Sequence, residues 1–319
     1  MKKLRIGVIG TGYLGKFHAE KYASMTDVDL VGVVDVQEEQ AKRIADKCKT
    51  NYFTNYQELL GKVDAASIVV PTQFHHEVSK AFLEHGTHLL IEKPMTTTID
   101  EADELIDLAN KKGVLIQVGH LERFNPAVIA LKDVIHSPKF VESHRISTYK
   151  GRGIDVSVVL DLMIHDIDLI KNFVQSEVKT IHAAGVPVIC SDVDIANARI
   201  EFECGCIANV TASRISMKDE RKIRIFQKDT YVSVDFAKKE IIHIVKTDSK
   251  EPNDIIPGMK INTLTLPAGD ALFEELSAFV HAIIHHTPPI VTGKDGRDAL
   301  KIALDIMQQM QARLSSWVL

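Results

Sequence analysis

Between residues 4 and 119 the chain alternates short apolar runs with amphipathic ones, and few folds accept that order. "LRIGVI" precedes "KFHAEKYASM"; "VDLVGVVDV" precedes "QEEQAKRIADKC"; "VDAASIVV" precedes "HHEVSKAFLEHG"; "THLLIE" precedes "IDEADELIDLANKKG"; "VLIQVGH" closes the series. Strands alternating with helices of this length predict a doubly wound, mostly parallel sheet. The strands are nearly continuous Val, Ile and Leu, as burial on both faces requires. With 319 residues the chain exceeds one ordinary core, so two domains are expected, residues 1–122 and 123–319. Beyond residue 122 the alternation stops. "KFVESHRISTY", "VKTIHAAGVPVI", "DIANARIEFEC", "CIANVTASRIS", "RKIRIFQKD" and "TYVSVDFAKKEIIHIV" predict strands of a largely antiparallel open sheet, one face on helices and the other available for association. Residues 246–262 look like a long loop, and the chain returns to helical periodicity at its end. The fold class is therefore α/β, a doubly wound parallel sheet followed by an α+β domain with a largely antiparallel open sheet.

Gly10-Thr11-Gly12-Tyr13-Leu14-Gly15 is a G-x-G-x-x-G sequence at the junction of the first strand and first helix. Asp35 stands 20 residues after Gly15, at the end of the next strand. That context is the fingerprint of dinucleotide binding. Gly10 permits the tight turn, Gly12 lets the backbone approach a pyrophosphate, and Gly15 lets helix and strand pack closely. The helix start then offers unpaired N–H groups and a positive dipole end to phosphate. Asp35 suits the free ribose hydroxyls of NAD and repels the 2′-phosphate of NADP. No Arg or Ser follows among Val36, Gln37 and Glu38 to hold that phosphate, so NAD is expected rather than NADP.

Net charge is −5, which leaves nucleic acid and anionic membrane without an electrostatic case as partners. The opening "MKKLRIGVIG" mimics a signal peptide, but glycines and Arg5 interrupt its apolar run, and no stretch of 18 apolar residues follows. Four scattered cysteines, Cys48, Cys190, Cys204 and Cys206, predict free thiols and a cytoplasmic location. No metal is expected, because neither the cysteines nor the adjacent pairs His75-His76 and His285-His286 have ligand spacing.

Two further stretches carry chemistry. In "HLLIEKPMTTTID" a buried strand ends in Glu92, Lys93 and Pro94. Pro94 fixes its own φ, biases Lys93 towards extended geometry, and makes a cis Lys93–Pro94 bond accessible. In "VVLDLMIHDIDLIKNF", Leu160, Met163, Ile164, Ile167 and Ile170 form one helical face. Asp161, His165, Asp168 and Asn172 follow i, i+4, i+7, i+11 spacing along another. That stripe aims a carboxylate and an imidazole at one point in a cleft, or equally describes a solvated face with His165 paired to Asp161.

Taken together, "GVIGTGYLGKFHA", "EKPMTT" and "LDLMIHDIDLI" resemble the glucose–fructose oxidoreductase / inositol dehydrogenase (Gfo/Idh/MocA) family, and the tail "FEELSAFVHAIIHHTPPIVTGKDGRDALKIAL" is similar to its C-terminal helices. The resemblance implies a Rossmann domain joined to an α/β domain, hydride transfer between NAD or NADP and a secondary hydroxyl of a sugar or cyclitol, and a homodimer or homotetramer formed through the C-terminal sheet. It assigns Lys93, Asp161 and His165 to catalysis. By "VVPTQFHHE" it places Pro71, Thr72 and His75 beside the nicotinamide half, with Glu92 and Lys93 at the same end.

A neutral imidazole near its ordinary pKa of about 6.5 can take the hydroxyl proton. An ammonium beside the same oxygen stabilises alkoxide character. His165 is the expected base and Lys93 its electrostatic partner, with Asp161 orienting the substrate; the exchange of the first two roles stays open. "GHLERFNPAV" resembles the subgroup acting on nucleotide sugars, which implies C3 of UDP-N-acetylglucosamine as the reacting centre. Arg123, Arg152, Arg214, Lys218 and Arg221 are candidates for the diphosphate, because a guanidinium donates paired hydrogen bonds from a fixed plane. Asn125 and Tyr149 are candidates for the sugar. A free sugar or cyclitol dehydrogenase is the alternative, and a non-catalytic NAD-binding sensor the second.

Overall fold

The computed structural model describes residues 3–149, 156–248, 256–267 and 269–317. The chain divides into two compact units, Met1–Phe124 with Asp270–Leu300, and Asn125–Gly269 with Lys301–Leu319.

In the first unit β1 (Leu4–Ile9), β2 (Val28–Val34), β3 (Asn51–Phe53), β4 (Ala65–Ile68), β5 (His88–Glu92) and β6 (Ile116–Gly119) form a six-stranded sheet in the order 3-2-1-4-5-6. All its pairings are parallel. The connecting helices are α1 (Gly15–Ser24), α2 (Glu38–Cys48), α3 (His75–Glu84) and α4 (Ile99–Lys112). Strand side chains alternate between two cores. Ile6, Val8, Val33 and Leu90 meet Ala19 and Tyr22 of α1 and Ile44 of α2. Ile68, Leu89 and Ile91 meet Val78 and Phe82 of α3 and Leu105 of α4. Capping fixes where the helices stop and start: Thr98 and Glu101 form a reciprocal capping box on α4, and Gly113 ends it at φ +68°. The strand order reverses at β1, so the C-terminal ends of β1 and β4 flank the crevice where such sheets bind ligands.

The second unit holds the short α5 (Pro126–Ile129), α6 (Ile164–Val174) and eight strands: β7 (Phe140–Thr148), β8 (Val178–Val186), β9 (Ile195–Phe202), β10 (Ile207–Ser216), β11 (Glu220–Gln227), β12 (Thr230–Asp235), β13 (Glu240–Lys246) and β14 (Met259–Thr265). Their order is 14-13-12-11-7-10-9-8, antiparallel throughout except for the central β7–β10 pair. Ala196, Ala198, Ile200 and Phe202 of β9 are buried while the intervening residues are not, the signature of a sheet covered on one face. Arg145 of β7 grips Asp166 of α6 through Nε (2.8 Å) and Nη2 (3.2 Å), both side chains buried.

Three expectations change. Residues 270–300 belong to the first unit rather than the second: α7 (Ala271–His285) adds Leu276, Phe279, Val280 and Ile283 to the core around Tyr22, and α8 (Gly293–Trp317) starts in the same unit. "TYVSVDFAKKEIIHIV" is a hairpin, β12 and β13, and not one strand. The stretch expected to be a loop to residue 262 is already strand β14 from Met259. No helix among the described residues is long and apolar enough to cross a membrane.

Candidate active site

The glycine loop follows β1 and opens α1. Gly10 has φ +93°, and a Cβ there would lie 2.5 Å from the Val69 carbonyl oxygen. A Cβ on Gly15 would fall 1.9 Å from the Gly10 carbonyl oxygen, so both positions require glycine for the turn itself. At Gly12 a Cβ would meet nothing within 4 Å; the missing side chain leaves its space outside the protein. Leu14, before the first turn of α1, makes no side-chain cap; the Lys16 and Phe17 N–H groups donate to the carbonyls of Gly12 (3.3 Å) and Leu14 (2.8 Å), and the positive end of the helix dipole lies at the glycine loop. Tyr13 is 71% exposed beside them.

Asp35 sits just beyond β2. Its Oδ2 accepts the main-chain N–H and the hydroxyl of Thr11, each at 2.9 Å, and its Oδ1 accepts the Gln37 N–H at 3.0 Å. The carboxylate is thus fixed in orientation against the glycine loop, at the position from which a ribose is recognised. These residues fit a dinucleotide.

At the ends of β4 and β5 the expected nicotinamide-side residues separate into two kinds. Pro71 and Thr72 lie on the turn after β4 and retain solvent contact. His75 is instead buried, its Nδ1 3.0 Å from the Pro94 carbonyl and its Nε2 2.8 Å from that of Val70. Burial lowers its pKa against the pull of both carbonyls, and the ring sits between the β4 turn and the Lys93–Pro94 step. That step is cis, and Lys93 is half-buried.

Glu92 is 8% exposed and fills a slot on the neighbouring strand, where a Cβ on Gly119 would lie 2.9 Å from its carboxyl carbon. His18 Nε2 meets Glu92 Oε1 at 3.1 Å, and the Lys93 N–H donates to Oε2 at 3.3 Å. Burial pushes this carboxyl up, but His18 and the Lys93 ammonium outweigh it and hold it below the usual range. Close by, Glu275 of α7 is fully buried, and neither carboxyl oxygen has a hydrogen-bond partner among the described residues. Burial, and after it the charge of Glu92, pushes that carboxyl well above the ordinary value. Its main-chain carbonyl takes Gln117 Nε2–H at 3.0 Å. Arg123, at the end of the first segment of this unit, is buried with Asp295 3.9 Å from its guanidinium.

In the second unit, Asp161 lies on a π turn, Val159–Met163, which runs directly into α6. Its N–H donates to the Ser157 carbonyl at 2.9 Å. The wider i→i+5 turn interrupts the regular 3.6-residue stripe read from spacing. Asp161, His165 and Asn172 are half-buried, whereas Asp168 is fully buried. Arg214 is also buried: Nη2 donates to the carbonyls of Val156 (2.6 Å) and Val193 (3.3 Å), with Asp194 3.8 Å from Nε. It fastens the segment that leads into the π turn. Asn125 Oδ1 caps α5 by accepting the Ala127 N–H at 3.0 Å. Tyr149 is 45% exposed at the end of β7. Lys218 pairs with Glu220 on the surface, Arg221 is exposed, and Arg152 lies outside the described residues.

His18 escaped the sequence reading. Its signal was its place on the apolar stripe of α1, with Gly15, Ala19 and Tyr22, where an imidazole needs a buried partner. Among the described residues no group of three or more His, Cys, Asp or Glu is arranged to hold a metal ion.

Comparison with known proteins agrees with this geometry. Residues 4–120 match the profile of an oxidoreductase family with an NAD-binding Rossmann fold, and residues 137–231 match the GFO/IDH/MocA C-terminal domain. The chain is 36% identical to the UDP-N-acetylglucosamine 3-dehydrogenase of Acidithiobacillus ferrooxidans, over 98% of this chain and 99% of that one. A solved structure of that enzyme superposes with a TM-score of 0.92, again covering 98% and 99% of the two chains. The myo-inositol 2-dehydrogenase of Thermotoga maritima is 25% identical over 98% of each chain. A scyllo-inositol dehydrogenase from Lactobacillus casei, solved with NAD(H) and scyllo-inositol, shares the fold at a TM-score of 0.81 and 20% identity, covering 98% of both chains. The chain belongs to the Gfo/Idh/MocA oxidoreductase family and is an NAD-dependent dehydrogenase.

Proposed function

We propose that this dehydrogenase oxidises a secondary hydroxyl of a nucleotide sugar, C3 of UDP-N-acetylglucosamine, to the 3-keto sugar. The observation that carries the proposal is the 36% identity, sustained over 98% of the chain, to an enzyme named for that reaction; inositol dehydrogenases that match over most of the chain stand at 20%, 25% and 27%. NAD, held by the Gly10–Gly15 loop, Asp35 and the Pro71–Thr72 turn, supplies the hydride acceptor. His165 takes the proton from the hydroxyl, a step worth ~10²–10⁴ in rate. Lys93 stabilises negative charge on the oxygen as the C–H bond weakens. Asp161 accepts a hydrogen bond from the substrate and orients it.

Among the basic residues read from the sequence, Arg123 and Arg214 are buried. Arg221, which is exposed, and Arg152, which follows Tyr149 closely in sequence, are the basic residues we assign to the diphosphate, with Tyr149 and Asn125 on the sugar side. The half-covered second sheet supports assembly into a homodimer or homotetramer, and the four free thiols support a cytoplasmic setting. The test is NADH absorbance with NAD and either UDP-N-acetylglucosamine, UDP-glucose, myo-inositol or glucose. Turnover with UDP-N-acetylglucosamine is expected, and silence with both UDP-sugars overturns the proposal.

A further inference from the structure

Lys93 is mounted on more than its own strand. Its N–H is held by Glu92 Oε2, while the other oxygen of the same carboxylate meets His18. His18 is fully buried on α1, and its own N–H bonds the carbonyl of Leu14 in the glycine loop. One hydrogen-bonded link therefore runs from the helix that follows the glycine loop to the residue at the end of β5. Gly119 makes room for it; any side chain there would displace the carboxylate. The other groups that act electrostatically on Glu92 are Tyr22 from α1, His75 from α3 and Glu275 from α7. Tyr22 spends its hydroxyl on Ser67 at 2.9 Å, and His75 spends both nitrogens on carbonyls. His18 is the side chain whose Nε2 meets Oε1 of that carboxylate.

We infer that His18 and Glu92 are positioning residues for Lys93: the pair clamps the end of β5 to α1, so that the ammonium keeps a fixed place relative to the bound dinucleotide. The inference rests on the role proposed above for Lys93. A merely structural pair would stabilise the first unit without touching turnover. A clamp acts through Lys93, and a misplacement of about 1 Å in such a group costs on the order of 10²-fold in rate.

The experiment compares full-length wild type with His18→Leu, His18→Gln, Glu92→Gln and Lys93→Met, and with Glu92→Gln in the Lys93→Met background. Three quantities are read: kcat and KM for the sugar, NADH affinity by fluorescence, and amide exchange across residues 89–96 by mass spectrometry. His18→Leu and Glu92→Gln are expected to lower kcat about 10²-fold, with KM for the sugar moving little and exchange at 89–96 quickening. His18→Gln, which keeps an N–H donor, restores most of the rate. In the Lys93→Met background Glu92→Gln removes nothing further from the residual turnover, because groups acting as a unit are not additive. Unchanged kcat in both single variants overturns the clamp, as does an undiminished loss in the Lys93→Met background. If Lys93→Met itself keeps full turnover, the role given to Lys93 fails separately. The exchange data then decide the clamp alone: quickening at 89–96 upholds it, and unchanged exchange overturns it.

Discussion

Glu275 lies in the core of the first unit with no hydrogen-bond partner for either oxygen among the described residues, and its effect on stability has a sign and a slope that can be measured. Burial, with a smaller contribution from Glu92, raises its carboxyl well above the ordinary 4.5. Below that ordinary value the folded and unfolded chains both carry the proton, and pH has no effect through this group. Above it, the unfolded chain releases the proton while the folded chain keeps it. The contribution of this group to wild-type stability therefore falls as pH rises, by about 1.4 kcal/mol per pH unit, until the folded-state pKa is passed. Glu275→Gln is neutral at every pH and has the same shape, so it lacks this slope. The variant should gain on wild type steadily from about pH 5.5 upwards at that rate. In a cooperative unit of roughly 150 residues, about 2–4 °C of melting temperature accompanies each kcal/mol, so the gap should open by roughly 3–6 °C per pH unit. Thermal melts of both proteins at a series of pH values in the same buffer read it directly. Adding Glu92→Gln removes the secondary cause, and the divergence should then level off at a lower pH. Parallel melting curves across the whole range would refute the reasoning, since they would mean that Glu275 titrates alike in both states.

Asp35→Ala removes the carboxylate proposed to accept from the ribose and, with it, the anchor of Thr11, so NADH affinity should fall about tenfold or more, measured by fluorescence titration. Asp35→Asn keeps the shape without the charge, and it should narrow the preference for NAD over NADP more than it harms the loop; an unchanged preference would remove charge repulsion as the cause. In the second unit, Asp166→Asn removes the negative charge that Arg145 Nε and Nη2 meet at 2.8 and 3.2 Å in a buried pair. It should cost ~3–5 kcal/mol in urea unfolding, and a loss below about 1 kcal/mol, the size of an exposed pair, would contradict the burial. A chelator should leave turnover unchanged, because every proposed step uses a side chain of this protein or the nicotinamide.

The sheet of the first unit was legible because its strands are buried on both faces and therefore written as unbroken Val, Ile and Leu. The glycine loop was legible because sterics at Gly10 and Gly15 leave no alternative residue. The destination of α7 was not. Its apolar face of Leu276, Phe279, Val280 and Ile283 states that it is covered, but periodicity cannot say by which sheet. The π turn under Asp161 was hidden for a related reason: a 3.6-residue period was assumed, and "VLDLM" carries no residue that demands a wider turn. Strand β14 was read as loop because, as the edge of its sheet, it pairs only with β13 and leaves much of its length exposed. The buried positions of Asp166 and Asp168 depend on packing that residue spacing does not encode, and in the case of Asp166 on a partner 21 residues away.

The return of residues 270–300 to the first unit also sets an order of events during synthesis. The first unit receives Met1–Phe124, and then Asn125–Gly269 must be made before α7 exists. At ~5–20 residues per second, the ribosome takes on the order of 10–30 s over that interval. Throughout it, Ile6, Val8, Val33 and Leu90 lack the cover that Leu276, Phe279 and Val280 later provide. The nascent nucleotide-binding sheet must therefore wait, one face only partly covered, while the second unit is made. A chain stopped short of α7 lacks the side chains that complete the core around Tyr22.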